Sequence, residues 1–280
     1  MNQWKPLGLI ASGRMSSSLL MRRPALSRHI GPVVALDRRL ATRYSNSLRA
    51  GSAAPVEDLH GCGLVLVHSD ATGLERLLPL LLAAGPWKGA RFALISQHLD
   101  SSALGALRSS GARVCSVATA PARARDLAVV EGDAKAAALA KLWLQEGHLR
   151  CFELAPGRRG LFQLGLFASQ ELLGPIFEAA LSSLRASGLS AVEARRLLFE
   201  AAESSLRAFA ARGRKALDDP LAQCRSGLLL RGLEDAARSR PAAASFLADV
   251  IEAVARLYAA PQMGPAPEDS RVPGRAAGIS

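Results

Sequence analysis

The feature that most constrains the fold is an alternation of short apolar segments with helical patterns over the first 120 residues. Five apolar segments have the length of a strand and are bounded by Gly, Pro, Ser or Asp: 7–11, 32–36, 64–68, 92–96 and 112–117. Helical patterns separate them at 14–23, 39–48, 72–84 and 101–110. Continuously apolar strands that alternate with helices predict a parallel sheet with helices on both faces.

The pattern changes after Pro121. A short strand at 127–130, a helix at 134–145 capped by Asp133 and a further strand at 149–154 are predicted. Helical periodicity then dominates at 161–187, 190–212, 228–238 and 242–259, and Ser190 with Glu193 forms a capping box. We therefore predict a Rossmann-like α/β domain at 1–125, an all-helical domain at 126–260 and a disordered tail at 261–280.

Composition excludes several classes of protein. Hydrophobic residues make up 49% of the 280 residues, which is enough for a sizeable core and excludes a globally disordered chain. No apolar run approaches the roughly 20 residues that a membrane span requires. The four cysteines are far apart without a CxxC pair, which argues against a disulfide scaffold or a standard zinc site. A soluble, cytoplasmic protein is expected.

The charge is strongly positive at +11, and the first fifty residues hold nine Lys and Arg against one acid, Asp37. Such a balance invites a nucleic-acid interpretation. Aromatic residues are only 5% of the chain, however, and much of the excess is arginine in an alanine-rich sequence. A phosphate-rich small ligand explains the N-terminal cluster as well, and nucleic-acid binding is disfavoured.

The first strand leads into a turn that resembles a dinucleotide-binding sequence. The three glycine places of a GxGxxG pattern hold Ala11, Gly13 and Ser16, so only the middle glycine remains. That glycine lets the backbone approach a pyrophosphate, and amides at the start of the helix point at the anion. Candidate cofactor-binding residues are Ala11, Ser12, Gly13, Arg14 and Met15. The alternative is an ordinary tight turn.

The second strand ends near Asp37, 24 residues after Gly13, and Arg38 and Arg39 follow. An acidic residue at about this spacing (roughly 20 residues) binds a ribose 2′-hydroxyl, and an arginine accommodates a 2′-phosphate. The arginines favour NADP over NAD. The alternative is that Arg38 and Arg39 begin a solvated helix.

Polar residues also follow the next two strands. His68, Ser69 and Asp70 end one strand, and Gln97 with His98 ends another. The carboxyl ends of strands line the ligand crevice in such sheets, and imidazole titrates near neutrality, so His68 is a candidate catalytic group. The alternatives are helix capping by His68 and Asp70 and a surface loop at His98. No metal-binding histidine pair, GxSxG elbow or GxxxxGK[ST] loop occurs, so no metal is expected.

The order of these features resembles a known family. The turn Ile10 to Met15 has the form IxxxGRM, and Val-Glu-Gly-Asp-Ala at 130–134 opens the later half. Over about residues 6–259 the chain resembles Rossmann-like proteins with the domain of unknown function 2520, which are similar to pyrroline-5-carboxylate reductase and 6-phosphogluconate dehydrogenase. The resemblance implies an NAD(P)-type cofactor on the first domain and a helical substrate or dimerisation domain.

The chain departs from that family at three polar sites. The Tyr-His pair that usually opens the long helix is missing, and a Ser-Asn has become Ser169-Gln170. The later Thr-Gly-Pro and Arg-Gly-Asp segment keeps only Pro220, and Cys224 and Arg225 follow it. Ser169 and Gln170 either face a substrate cleft or bond to their own helix backbone.

Two functional hypotheses follow. The first is an NAD(P)-dependent oxidoreductase-like homodimer with His68, Ser169 and Gln170 near a small-molecule substrate. The second is a non-catalytic nucleotide-binding or interaction protein on the same fold, in which the altered polar sites reflect lost chemistry.

Overall fold

The protein is described by a computed structural model that covers residues 6–14, 18–119, 126–217 and 227–259. The chain forms two compact units, Met1–Gly165 and Leu166–Ser280. Met15, Ser16, the segment 218–225 and the predicted disordered tail lie outside the described residues. The boundary predicted at 125 and 126 falls between two hydrogen-bonded strands of one sheet, and the first compact unit extends about forty residues further.

The first unit contains an eight-stranded sheet in the order β3-β2-β1-β4-β5-β6-β7-β8. Its strands are β1 Leu7–Ala11, β2 Ile30–Val34, β3 Ser52–Ala53, β4 Leu64–His68, β5 Arg91–Ile95, β6 Arg113–Thr119, β7 Leu127–Gly132 and β8 Arg150–Leu154. All neighbours pair in parallel except β6 and β7, which are antiparallel. The predicted α/β class with a Rossmann-like sheet is confirmed.

Helices cover both faces of this sheet. They are α1 Leu19–Arg22, α2 Arg38–Leu48, α3 Ala71–Ala83, α4 Gly105–Ser109 and α5 Ala134–Glu146, with 3-10 turns at Pro24–Ser27, Val56–Gly61 and Ser101–Leu104. Alternate residues of β1 explain this arrangement: Leu9 belongs to a core with Tyr44 and Trp143, and Ile10 belongs to a second core with Leu77. Burial of both strand faces is what the continuous apolar segments predicted.

Pro32 lies inside β2, so this strand begins earlier than the predicted segment 32–36. Pro32 cannot donate a backbone hydrogen bond. The pairing of β1 with β2 shifts at this point, since Leu7 pairs with Ile30 but Leu9 pairs with Val33. The irregularity accommodates the proline within a strand that has neighbours on both sides.

The first helix is much shorter than the predicted segment 14–23. It begins at Leu19 after Ser18, whose hydroxyl accepts a hydrogen bond from the Met21 amide at 3.3 Å. Serine favours such capping over the helix interior, and Pro24 ends the helix by opening a 3-10 turn. The helix start is therefore five residues later than the sequence suggested.

Asp133 occupies the N-cap position of α5, but its side chain does not cap that helix. Its carboxylate instead accepts hydrogen bonds from the Val114 amide at 2.8 Å and from Arg108 Nε at 3.3 Å. The predicted capping role is wrong because β6, which is antiparallel to β7, places the Val114 amide within hydrogen-bond distance of the Asp133 carboxylate.

The second unit is helical in the part of it that is described. Helix α6, Arg159–Gln170, leaves the first unit, and α7 Leu173–Ala186, α8 Ala191–Arg212, α9 Gly227–Ser239 and α10 Pro241–Ala259 follow, with a 3-10 turn at Gly213–Leu217. The single stretch predicted at 161–187 is two helices, because Pro175 has no amide to bond the carbonyl four residues earlier. The capping box of Ser190 and Glu193 is confirmed.

Apolar side chains of the second unit remain largely uncovered within the chain. Among its described residues the buried apolar side chains are four alanines: Ala179, Ala194, Ala216 and Ala244. By contrast, Val192, Phe199 and Leu206 are 75%, 67% and 70% exposed. None of the helices in the described ranges is both long and apolar enough to cross a membrane.

Candidate functional site

A cavity of about 740 Å³ lies in the first unit, where β1, β4, β5 and β6 end. This is the edge at which open parallel sheets bind ligands. Of the predicted site residues, the following line it: Ser12, Gly13, Arg14, His68, Ser69, Asp70 and Gln97. Ala11 is fully buried in β1 and is not one of the lining residues. The structure thus brings together side chains from positions 12 to 119 of the sequence.

Gly13 gives the turn after β1 its shape. Its φ of 79° is a left-handed conformation that favours glycine. Among the described residues, a Cβ at this position would have only Asp70 Oδ2 within 4 Å, at 3.8 Å, so these residues leave the space beside the backbone open. The carbonyl of Gly13 accepts a hydrogen bond from Tyr44 Oη at 2.9 Å, which ties the turn to α2. Burial raises the pKa of Tyr44, so its hydroxyl stays a donor at neutral pH.

A buried pair of hydroxyl groups joins the turn to the end of β4. Ser12 Oγ and Ser69 Oγ are 2.7 Å apart, and the Ser12 amide donates to the His68 carbonyl at 2.9 Å. Ser69 donates its hydroxyl hydrogen to the Asp70 carbonyl at 2.8 Å, so Ser12 is the donor of the pair. Gly73 packs against this pair, and a Cβ there would lie 2.0 Å from Ser12 Oγ. Sequence reasoning missed Gly73 because a helical glycine has no distinctive pattern.

Asp70 is the N-cap of α3. Its Oδ1 accepts a hydrogen bond from the Gly73 amide at 2.7 Å, so the capping role considered from the sequence is present. Asp70 also lines the cavity, and its Oδ2 faces the open side of Gly13. One carboxylate therefore both begins a helix and borders the candidate site.

His68 ends β4 at the wall of the cavity. Its Nδ1 is buried and has no hydrogen-bond partner within the described part of the chain. Burial lowers the pKa of His68, and hydrogen bonding to the backbone of Ser12 and His68, together with the Asp70 carboxylate, only partly opposes this effect. The imidazole is therefore neutral at neutral pH, and its residue lines the cavity.

The lowered pKa of His68 has a testable consequence. We expect an NMR titration to give a pKa below the ordinary value of about 6.5. Because folding disfavours the protonated ring, its contribution to stability is complete above about pH 6.5 and is lost as the pH falls towards the folded-state pKa. The variant His68→Gln should lose less thermal stability than the wild type over that acidic range. A pKa at or above the ordinary value would contradict this assignment.

The far end of the cavity holds a chain of polar side chains. Thr119 Oγ1 accepts hydrogen bonds from Gln97 Nε2 at 2.6 Å and from Arg22 at 3.2 Å. With its acceptor sites occupied, the Thr119 hydroxyl can donate to a ligand in the cavity, since no described residue accepts a hydrogen bond from it. Arg22 and Thr119 were not predicted as site residues, because the sequence does not indicate that α1 reaches the end of β6.

Asp37, Arg38 and Arg39 lie apart from the main cavity, at the start of α2. Asp37 Oδ1 caps the helix by accepting from the Leu40 amide at 2.8 Å. Asp37 and Arg38 border a second cavity of about 380 Å³ that also adjoins β3. In the described ranges, neither the Arg38 nor the Arg39 guanidinium makes a hydrogen bond or ion pair, and both are exposed. The arginines thus begin a solvated helix and are also available to a phosphate.

Ser169 and Gln170 are the last two residues of α6 and belong to the second unit. Both are exposed, and Ser169 Oγ donates to the Leu166 carbonyl of its own helix at 3.0 Å. Of the two interpretations from the sequence, the local backbone bond is the one observed for Ser169. No group of three or more His, Cys, Asp or Glu side chains among the described residues is arranged to hold a metal ion.

Solved structures with the same architecture cover most of the chain. BF3122 from Bacteroides fragilis, described as an NADP oxidoreductase, is 12% identical with a TM-score of 0.67, over 91% of this chain and 99% of that one. Imine reductase from Aspergillus terreus, in complex with NADPH4 and dibenz[c,e]azepine, is 19% identical with a TM-score of 0.63, over 91% and 94%. An imine reductase variant from Myxococcus stipitatus, in complex with NAD+, is 16% identical with a TM-score of 0.63, over 90% and 94%.

No family model and no curated protein matches the chain. At identities this low, the solved structures show the fold alone: a Rossmann-like sheet followed by a helical region. What those proteins bind bears on this chain only as support for a proposal.

Proposed function

We propose that the protein is an NAD(P)-dependent oxidoreductase of the 6-phosphogluconate dehydrogenase-like and imine reductase class, acting on a small molecule. The observation that carries the proposal is the cavity at the strand ends, where Gly13 leaves open space beside its backbone. The nicotinamide dinucleotides named for similar solved structures, NADPH4 and NAD+, support it. Membership of the family with the domain of unknown function 2520 is part of the same proposal.

The residues present fit a dinucleotide. The backbone at Gly13, which has no side chain of its own, would lie against the pyrophosphate, and the Arg14 guanidinium would add positive charge. A bound nicotinamide would supply or accept hydride, since that chemistry belongs to the cofactor. The cavity-lining residues His68, Gln97 and Thr119 would orient the reacting groups.

A specific observation favours the second hypothesis, a dinucleotide-binding protein without catalysis. Ser169, one of the residues expected to face the substrate, is exposed and bonded to its own helix. The two hypotheses share the cavity and differ only in turnover.

The deciding experiment is a titration of the purified protein with NADPH and NADH by calorimetry, followed by an assay of NADPH oxidation against cyclic imines and against keto acids with amines. We expect saturable dinucleotide binding and oxidation with at least one substrate group. Binding without oxidation would favour the non-catalytic hypothesis. Absence of binding at millimolar dinucleotide would refute both.

We propose NADP as the preferred cofactor, bound by Arg38 and Arg39 through its 2′-phosphate. The double variant Arg38→Ser/Arg39→Ser should lose about tenfold or more in NADPH affinity and little in NADH affinity, because each charge-assisted hydrogen bond contributes about 1.5–3 kcal/mol. The control is Arg113→Ser, because Arg113 is also exposed but begins β6, at the end of that strand away from the cavity. Calorimetry measures both affinities directly. Equal losses of NADPH and NADH affinity would contradict the assignment.

We also propose a homodimer that covers the apolar stripe of α8. Val192, Phe199 and Leu206 recur every seven residues and therefore share one helix face, where they are at least two-thirds exposed. Analytical ultracentrifugation should give about twice the 29.4 kDa of one chain. Phe199→Glu/Leu206→Glu should yield monomer, whereas Ser204→Glu on another face should not. A monomeric wild type would refute the dimer.

The described cysteines support a cytoplasmic location as a further part of the proposal. Cys62, Cys115 and Cys151 are free thiols, as expected in a reducing compartment.

A further inference from the structure

Two charged side chains are almost completely buried beside the cavity. Glu131 in β7 is 1% exposed, and Arg159 at the start of α6 is 4% exposed. Buried charges of this kind lose their hydration and persist only when other groups compensate for that loss. Neither residue lines the cavity, and the proposed chemistry uses neither.

Both carboxylate oxygens of Glu131 are fully engaged. Oε1 accepts from Ser101 Oγ at 2.9 Å and from the Gly157 amide at 2.8 Å. Oε2 accepts from the Ser101 amide at 3.1 Å and from Ser116 Oγ at 3.1 Å. The donors come from the segment after β5, from β6 and from the segment after β8. One carboxylate therefore holds three separate parts of the chain together.

Arg159 reaches the same cluster from the other side. Its guanidinium donates to Ser116 Oγ at 2.9 Å and also to the Ser96 carbonyl. The Ser116 hydroxyl thus accepts from Arg159 and donates to Glu131, which links the two charges. Arg159 is the one buried residue in an otherwise exposed or half-buried stretch, 150–160. Its burial fixes the first turn of α6 to the sheet.

The Ser96 carbonyl belongs to the rim of the cavity. Ser96 Oγ accepts from the His98 amide at 3.3 Å and the Leu99 amide at 3.2 Å, which shapes the short loop after β5. Gln97 and His98 of this loop line the cavity. The hydrogen bond from Arg159 to the Ser96 carbonyl therefore connects the first turn of α6 to the loop at the rim of the cavity.

We propose that Glu131 and Arg159 are positioning residues that lock the rim loop, residues 96–99, and the first turn of α6 into one rigid block. The rim loop then moves only together with the first turn of α6, the helix by which the chain leaves the first unit. The consequence for ligand affinity rests on the proposed function, and the consequence for rigidity does not.

Hydrogen–deuterium exchange on the full chain tests the rigidity directly. In Arg159→Met, which keeps the apolar stem but removes the charge and the donors, we expect exchange at 96–99 and at 157–162 to rise together, by about tenfold or more. Lys141→Met removes a partly exposed ion pair with Glu153 in the same unit and is the matched control, with no expected change at 96–99. Faster exchange at 157–162 with unchanged exchange at 96–99 would overturn the proposal.

A second variant keeps the test decisive if Arg159→Met does not fold. Ser116→Ala removes only the bridging hydroxyl and should raise exchange in the same two segments to a smaller extent. If neither segment responds in the folded Ser116→Ala variant, the proposal fails.

NADPH affinity of the same variants should fall with the rise in exchange at 96–99. If wild type binds no dinucleotide, the proposed function is refuted, and the exchange result still decides the rigidity.

Discussion

Replacing Gly13 with alanine is expected to weaken dinucleotide binding about a hundredfold while leaving the protein folded. The methyl group would enter the space beside the turn, where the nearest atom of the described residues is Asp70 Oδ2 at 3.8 Å. That space is where a pyrophosphate would contact backbone amides, and loss of charge-assisted bonds there costs about 1.5–3 kcal/mol. The left-handed φ adds a folding penalty of roughly 1–2 kcal/mol. Calorimetry with NADPH and thermal denaturation measure the two effects separately.

Gly89 offers a control for the backbone penalty alone. Its φ of 77° is close to the 79° of Gly13, and a Cβ there would have no atom of the described residues within 4 Å. Gly89 does not line the cavity, so Gly89→Ala should destabilise the protein similarly without affecting affinity. Should Gly13→Ala bind NADPH as tightly as Gly89→Ala does, the turn after β1 is not the diphosphate site and the proposed function loses its main support.

Gly73→Ala is expected to produce a large loss of stability. The added Cβ would lie 2.0 Å from Ser12 Oγ and 2.6 Å from Ser69 Oγ, so either the two hydroxyl groups must rotate away from each other or the backbone of α3 or of the turn after β1 must shift. Overpacking of this kind costs typically about 1–3 kcal/mol, and disruption of the buried hydroxyl pair places the cost at the upper end. Chemical denaturation monitored by circular dichroism measures the change in the free energy of unfolding.

Two further variants identify the cause of that loss. Gly105→Ala adds a methyl group at the start of α4, where no atom of the described part of the chain lies within 4 Å, and should be neutral or slightly stabilising. Ser12→Ala/Ser69→Ala/Gly73→Ala removes both hydroxyl oxygens that the methyl group would meet and should recover part of the stability. An equally destabilised triple variant would show that the contact with the hydroxyl pair is not the reason.

Much of the first unit could be predicted because its strands are buried on both faces. A strand with two buried faces is apolar throughout, so β1, β4 and β5 appear in the sequence as short apolar runs within one residue of their observed bounds. The candidate site followed from the same reasoning, because residues after parallel strands share one edge of the sheet. His68, Ser69, Asp70 and Gln97 meet there as expected.

The helix ends and the remaining site residues could not be predicted in the same way. The late start of α1 depends on a capping serine, and the break between α6 and α7 depends on Pro175, both of them local effects within an apolar pattern. Arg22 and Thr119 meet across nearly a hundred residues of sequence, and no periodicity signals such a contact. The same holds for Gly73, whose significance lies entirely in what packs against it.

The sequence by itself determined the layers of the protein. Burial of apolar area drives folding, and the spacing of apolar residues in each segment indicates whether the segment forms a strand or a helix. Only the tertiary structure decided which polar groups satisfy one another. Glu131 shows the difference: within the sequence it is one acid among glycine and apolar residues, whereas in the fold it holds donors from three distant segments. Hydrogen bonds are short-ranged and directional, so their partners are set by where the chain brings them, not by neighbours along it.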